Sequence, residues 1–155
     1  MAEISESACC KFELEIPIAA PRERVWKAIF DETNEWWLPD FHVAGPDSVV
    51  TFDPKVGGRG LIEESKAGDA LLWYSVQMYL PGQFKVYLVG HIAPEWGGPT
   101  TSMLKIALTE SESGCMFQLS DARHGAVEDQ KVQSYESGWR QLFTDGLKAY
   151  VEQNV

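Results

Sequence analysis

Residues 10–18 alternate strictly. Cys10, Phe12, Leu14, Ile16 and Ile18 fall on one side, and Lys11, Glu13 and Glu15 on the other. A period of two with one apolar side predicts a β-strand with one wet face. The period then lengthens. In "APRERVWKAIF", Pro21 suits a first helical turn, and Val25, Trp26, Ile29 and Phe30 form a stripe at helical spacing. "DETNEWWLPDF" continues as a short second helix, which Asp31 or Thr33 can cap and Pro39 stops. Neighbours on a helix point about 100° apart. Trp37, with Leu38 and Phe41, is therefore expected to turn inward, and Trp36, beside Glu35, to lie nearer the surface.

About six consecutive strands follow. "SVVTF" and "RGLIEES" flank a turn marked by Pro54, Gly57 and Gly58, and "SMLKIALTE" and "CMFQLSDA" flank "SESG". Between them, "ALLWYSVQMYL" and "QFKVYLVGHI" form a long hairpin around Pro81-Gly82. Unbroken alternation puts Leu71, Trp73, Ser75, Gln77 and Tyr79 on one face with Phe84, Val86, Leu88, Gly90 and Ile92. Trp73 then lies opposite Gly90, and Ser75 opposite Leu88. This face is assigned to the interior, because Lys85 and His91 on the other are better solvated. Tyr74, Val76, Met78, Tyr87 and Val89 would then form an apolar outer patch. From about Val127 a long helix repeats Val132, Tyr135, Trp139, Leu142, Phe143, Leu147 and Tyr150 at three- and four-residue steps. The short turns make the strands an antiparallel meander, and the long helix is the natural cover for its apolar face.

Composition narrows the function classes. The chain has 155 residues, a formal net charge of −10 and 45% hydrophobic residues. That suits one domain over 1–155, with residues 1–8 a flexible lead-in. The acidic balance opposes binding to nucleic acid or anionic membranes. No apolar run approaches the roughly 20 residues of a bilayer span, and the first residues lack the pattern of a signal peptide, so a cytoplasmic location is expected. Cys9, Cys10 and Cys115 give no disulfide framework, and Cys10 and Cys115 read as buried thiols. His42, His91 and His124 stand apart, so neither a metal site nor a cofactor is expected.

The element order and three stretches resemble a known family. "IPIAAPRERVWKAIFDETNEWW", "FDPKVGGRG" and "YESGWRQLFTDGLKAYVE" are together similar to the activator of Hsp90 ATPase homologues, in their single-domain bacterial form. That family lies within the START-like (SRPBCC) superfamily. The resemblance implies an α+β helix-grip fold, also called Bet v 1-like: a curved antiparallel sheet around a long C-terminal helix, with two short helices after the first strand. It also implies a cavity between sheet and helix that often holds an apolar ligand, and no fixed reaction.

Three function classes follow. The first is binding of a small apolar or aromatic molecule, lined by Trp37, Phe41, Trp73, Ser75, Gln77, Leu88, Trp139 and Phe143, with Ser75 and Gln77 orienting it. The second is a stress-related, co-chaperone-like interaction module, with a chaperone or a second copy of the chain docking on the outer patch Tyr74, Val76, Met78, Tyr87 and Val89. The third is a cyclase- or hydrolase-like enzyme, although no nucleophile, base and orienting group can be read together. Asp121, Arg123 and His124 cluster at the end of the last strand, where a pocket rim is expected. The Gly57-Gly58-Arg59 stretch joins two strands, so it reads as a tight turn and not a phosphate loop.

Overall fold

The computed structural model describes residues 1–154. The alternating stretch folds as β1, Ala8–Ile18, with Phe12, Leu14, Ile16 and Ile18 buried. Helix α1, Arg22–Asp31, buries Val25, Ala28, Ile29 and Phe30. Helix α2, Thr33–Trp36, is a single turn, and a 3-10 turn follows at Pro39–Phe41. Then come β2 (Val49–Asp53), β3 (Gly60–Glu64), β4 (Ala70–Leu80), β5 (Lys85–Ile92), β6 (Thr100–Ser111) and β7 (Gly114–Gly125). The chain closes with α3, Asp129–Gln141, which runs on through a π-helical stretch, Leu142–Lys148, into α4, Ala149–Gln153.

The six later strands form the expected meander, and β1 joins its far edge beside β7, giving the order β1-β7-β6-β5-β4-β3-β2. All neighbours are antiparallel. The C-terminal helix lies in the hollow of this sheet and buries Trp139, Leu142, Phe143, Leu147 and Val151. The fold is the helix grip, with an apolar stripe held by a curved sheet.

Strand β4 departs from the sequence expectation because it carries two irregularities. Leu61 pairs with Tyr74 but Ile62 pairs with Leu72, leaving Trp73 as an extra residue. Val76 pairs with Leu88 but Met78 pairs with Tyr87, leaving Gln77 as a second. Each such bulge moves the strand by one residue, and one residue reverses every side chain. Between the bulges the strand therefore runs out of phase. Tyr74 and Val76 enter the core, while Ser75 and Gln77 are exposed on the outer face. Ser75 lies opposite Val89, not Leu88. Gly90 makes room for Tyr74, since a Cβ there would meet two carbons of that ring at 2.8 Å.

The tryptophan pair also differs from the expectation. Trp36 and Trp37 are only 4% and 5% exposed, so both are core. The 100° rule fails because α2 ends at Trp36, and Trp37 already has extended backbone (φ −66°, ψ 121°). The Trp36 indole donates to the Ala28 carbonyl at 2.8 Å, and the Trp37 indole to the Phe41 carbonyl at 3.2 Å. Gly146 lets the C-terminal helix meet this turn, because a Cβ there would lie 2.5 Å from the Trp36 carbonyl oxygen. Cys115 is buried as expected, and burial pushes its thiol up to about 11; Cys10 is only half-buried.

Candidate functional site

The space between sheet and helix has a filled middle and an open end. In the middle, Ile29, Trp36, Trp37, Leu88, Trp139 and Phe143 are among the side chains that leave a void of only about 10 Å³. Toward Tyr74, Gly90 and Ile92 the grip loosens into a cavity of about 480 Å³. Leu71, Trp73 and Tyr74 line it from β4, Gly90 and Ile92 from β5, and Arg123 from β7. Tyr135 and Trp139 close it from α3, and Trp96 from the turn after β5; Val43, Ala44 and Asp69 also reach it.

Two buried carboxylates hold these walls in place. Asp121 is fully buried. Its Oδ1 accepts from Ser102 Oγ at 2.7 Å, and its Oδ2 from Arg123 Nε at 2.9 Å and Trp139 Nε1 at 3.0 Å. The Ser102 hydroxyl also meets the Tyr74 hydroxyl at 2.7 Å. One anion thus links β4, β6, β7 and α3, and both of its oxygens are engaged. Burial, and then the charge of Asp121, raise the Tyr74 hydroxyl above its ordinary range, so it stays neutral. The guanidinium of Arg123 lies 3.8 Å from the centre of the Tyr135 ring, a cation–π contact that fixes its plane.

Glu63 is the second buried carboxylate. Its Oε2 accepts from the Val43 and Ala44 amides at 2.7 and 2.6 Å and from Ser48 Oγ at 2.7 Å, and its Oε1 accepts from the Trp73 indole at 3.1 Å. Burial would raise this carboxyl. The donors from Ser48, Ala44, Trp73 and Val43 outweigh it and hold the group below its ordinary value. Glu63 therefore pins both Trp73 and the 43–48 loop at the cavity edge.

The sequence profile of the family described as Activator of Hsp90 ATPase homolog 1-like protein matches residues 19–152. The chain belongs to this family. No curated protein matches it. Among solved structures it is similar to an uncharacterized protein from Rhizobium leguminosarum, at 14% identity and TM-score 0.69, covering 97% of this chain and 99% of that one. It is similar to the AHSA1-like protein from Aeromonas hydrophila, at 18% identity and TM-score 0.61, covering 94% of each chain. It is also similar to Ara h 8.0201, at 16% identity and TM-score 0.65, covering 94% of this chain and 99% of that one. At these identities the structures speak for the fold.

In this member of the Activator of Hsp90 ATPase homolog 1-like family, the residues expected at a ligand site divide into four groups. Trp73 and Trp139 line the cavity. Trp37, Leu88 and Phe143 belong to the filled middle, where Trp139 also reaches. Phe41 is half-buried on the 3-10 turn and contributes its carbonyl to Trp37. Ser75 and Gln77 are on the wrong face to orient anything inside. Sequence reasoning put Tyr74 on the outer patch, where it is not, and read Tyr135 only as part of the helical stripe. Arg123 was read only as part of a rim cluster, although parity could have found it: Cys115, Phe117, Leu119, Asp121 and Arg123 are all buried, two apart on one strand face. His124 takes the opposite parity and is exposed, so it does not meet Asp121 or Arg123 in a catalytic arrangement. Ser102 has no exposed surface. Among the described residues no cluster of His, Cys, Asp or Glu could hold a metal ion, and no helix is long and apolar enough to cross a membrane.

Proposed function

We propose that this protein binds a small apolar or aromatic molecule in the cavity at the open end of the grip. The single observation that carries this reading is a space of about 480 Å³ walled by Leu71, Trp73, Tyr74, Ile92, Trp96, Tyr135 and Trp139. Ligand sites of this kind span roughly 300–1,000 Å³ and combine apolar walls with a few placed polar groups. Removing apolar surface from water supplies the affinity. The site differs from the one expected from the sequence: it lies beyond the tryptophan pair, and Arg123 replaces Ser75 and Gln77 as the polar element. Titration with the neutral dye N-phenyl-1-naphthylamine tests the reading. Saturable binding at one site is expected, weakened about tenfold or more by Leu71→Trp, which puts an indole into the cavity. Absence of binding to the wild type, or equal binding to Leu71→Trp, ends the proposal.

The outer face supports a second reading, docking of a chaperone or of another copy of this chain. Tyr74 and Val76 are lost to the core, so the patch is not the one expected. Met78 remains exposed there, joined by exposed Leu72 and Met103 and half-buried Tyr87 and Val89. Val89 pairs with Met103 and Met78 with Tyr87, so these side chains are neighbours across strands. Light scattering and chaperone pull-down, each repeated on Tyr87→Lys and Met103→Lys, check it. A monomer whose chaperone capture is unchanged by both substitutions removes this reading.

A further inference from the structure

We infer that the molecule bound in the cavity carries a carboxylate, which pairs with the free edge of Arg123 while its apolar body packs on Trp73 and Trp139. This rests on the ligand reading above and specifies its chemistry.

The inference comes from counting the donors of one buried side chain. Arg123 is 8% exposed, and it lines the cavity. A guanidinium has five N–H donors and no acceptor. Only Nε is spent inside the protein, on Asp121. Among the described residues no acceptor meets either terminal nitrogen, so both stay available on the cavity side. Neither is among the fully buried polar atoms left without a partner, so both reach the open side of the site. A carboxylate there would accept two parallel hydrogen bonds.

The surroundings favour this edge as an anion seat. Asp121 offsets the charge of Arg123 but occupies only its Nε side, so the outer edge keeps its hydrogen-bonding capacity. The Tyr135 ring fixes the guanidinium plane, which gives the fork a set direction. Asp69 is the one other carboxylate among the lining residues, and it is exposed in the turn before β4, where solvent screens it. The rest of the wall is mainly aromatic and aliphatic. An acid with an aromatic or aliphatic body matches both parts.

The test compares 2-naphthoate with its neutral isostere 2-naphthamide, by displacement of N-phenyl-1-naphthylamine from the full chain. In the wild type the acid is expected to bind about tenfold tighter or better, as hydrogen bonds to a charged group imply. The preference should vanish in Arg123→Met. That variant leaves Asp121 without its cation, so Asp121→Asn/Arg123→Met is measured beside it, each with a circular dichroism check of folding. Equal wild-type affinities overturn the inference, as does a preference for the acid that survives in either folded variant. If neither variant folds, the wild-type ratio decides. Dye binding without acid preference sinks only this inference; no dye binding sinks the ligand reading as well.

Discussion

The two ends of the grip are built from the same materials and reach opposite results. At the packed end, Trp36, Phe117 and Trp139 all pack tilted against Phe143, with ring centres 5.7, 4.5 and 5.9 Å from it. Almost no volume is left between them. At the open end, Trp73, Tyr74, Tyr135 and Trp139 are equally large and enclose about 480 Å³. The difference lies in what anchors the rings. At the packed end Phe117 and Phe143 have no polar anchor, and the Trp36 and Trp37 indoles are tied only to carbonyls of their own segment, so the rings settle into the gap. The open end is held by hydrogen bonds to two buried carboxylates, which fix Trp73 and Trp139 directly and Tyr74 through Ser102. Rings tied to polar anchors cannot collapse onto one another without leaving a buried charge unpaired. Aromatic bulk alone therefore does not say whether a region is core or cavity.

This contrast can be broken from either side. The largest effect is expected at the packed end. Phe143→Ala should cost about 3–5 kcal/mol in urea unfolding, since it opens a hole that aromatic neighbours cannot fully close. Asp121→Ala should cost a similar amount, about 3–5 kcal/mol, because it strands Arg123 without its partner. It should also change dye affinity at the open end, which Phe143→Ala should leave unchanged per folded molecule; equal behaviour of the two would dissolve the distinction between the ends.

A smaller effect attaches to Glu63, which carries a pH signature. Its folded-state carboxyl titrates below its ordinary value of 4.5. The stability it contributes is therefore complete above the unfolded value and is lost as pH falls through the folded value. Glu63→Gln should cost about 1–3 kcal/mol near neutrality. It should also flatten the acid limb of the stability curve; an unchanged limb would show that other groups produce it. Gly146→Ala should cost about 1–3 kcal/mol through crowding against the Trp36 carbonyl. The smallest effects belong to Ser75→Ala and Gln77→Ala. Both should lie within about 0.5 kcal/mol and leave dye binding unaltered. Loss of dye binding in either would mean that β4 runs in the unbroken register.

Much of the architecture was legible along the chain. The alternation in β1, the stripe of α1 and the spacing of Trp139, Phe143 and Leu147 each depend on local periodicity, which burial on one face imposes directly. The meander followed from short turns. Those patterns determined the elements, their order and the helix as the cover of the sheet.

The tertiary structure decided what the patterns could not carry. "LLWYSVQM" reads as perfect alternation, yet two bulges reverse its middle, because the register is set by pairing with β3 and β5, which the alternation within β4 does not reveal. Trp37 became core because α2 ended at Trp36, two residues before the last position its pattern allowed, and Trp36 because Gly146, 110 positions further on, admitted its turn. The cavity arises from Asp121 and Glu63, whose partners come from distant strands, loops and the final helix. Local sequence specifies which face is apolar. Whether that face is filled or left hollow depends on which polar groups meet across the fold.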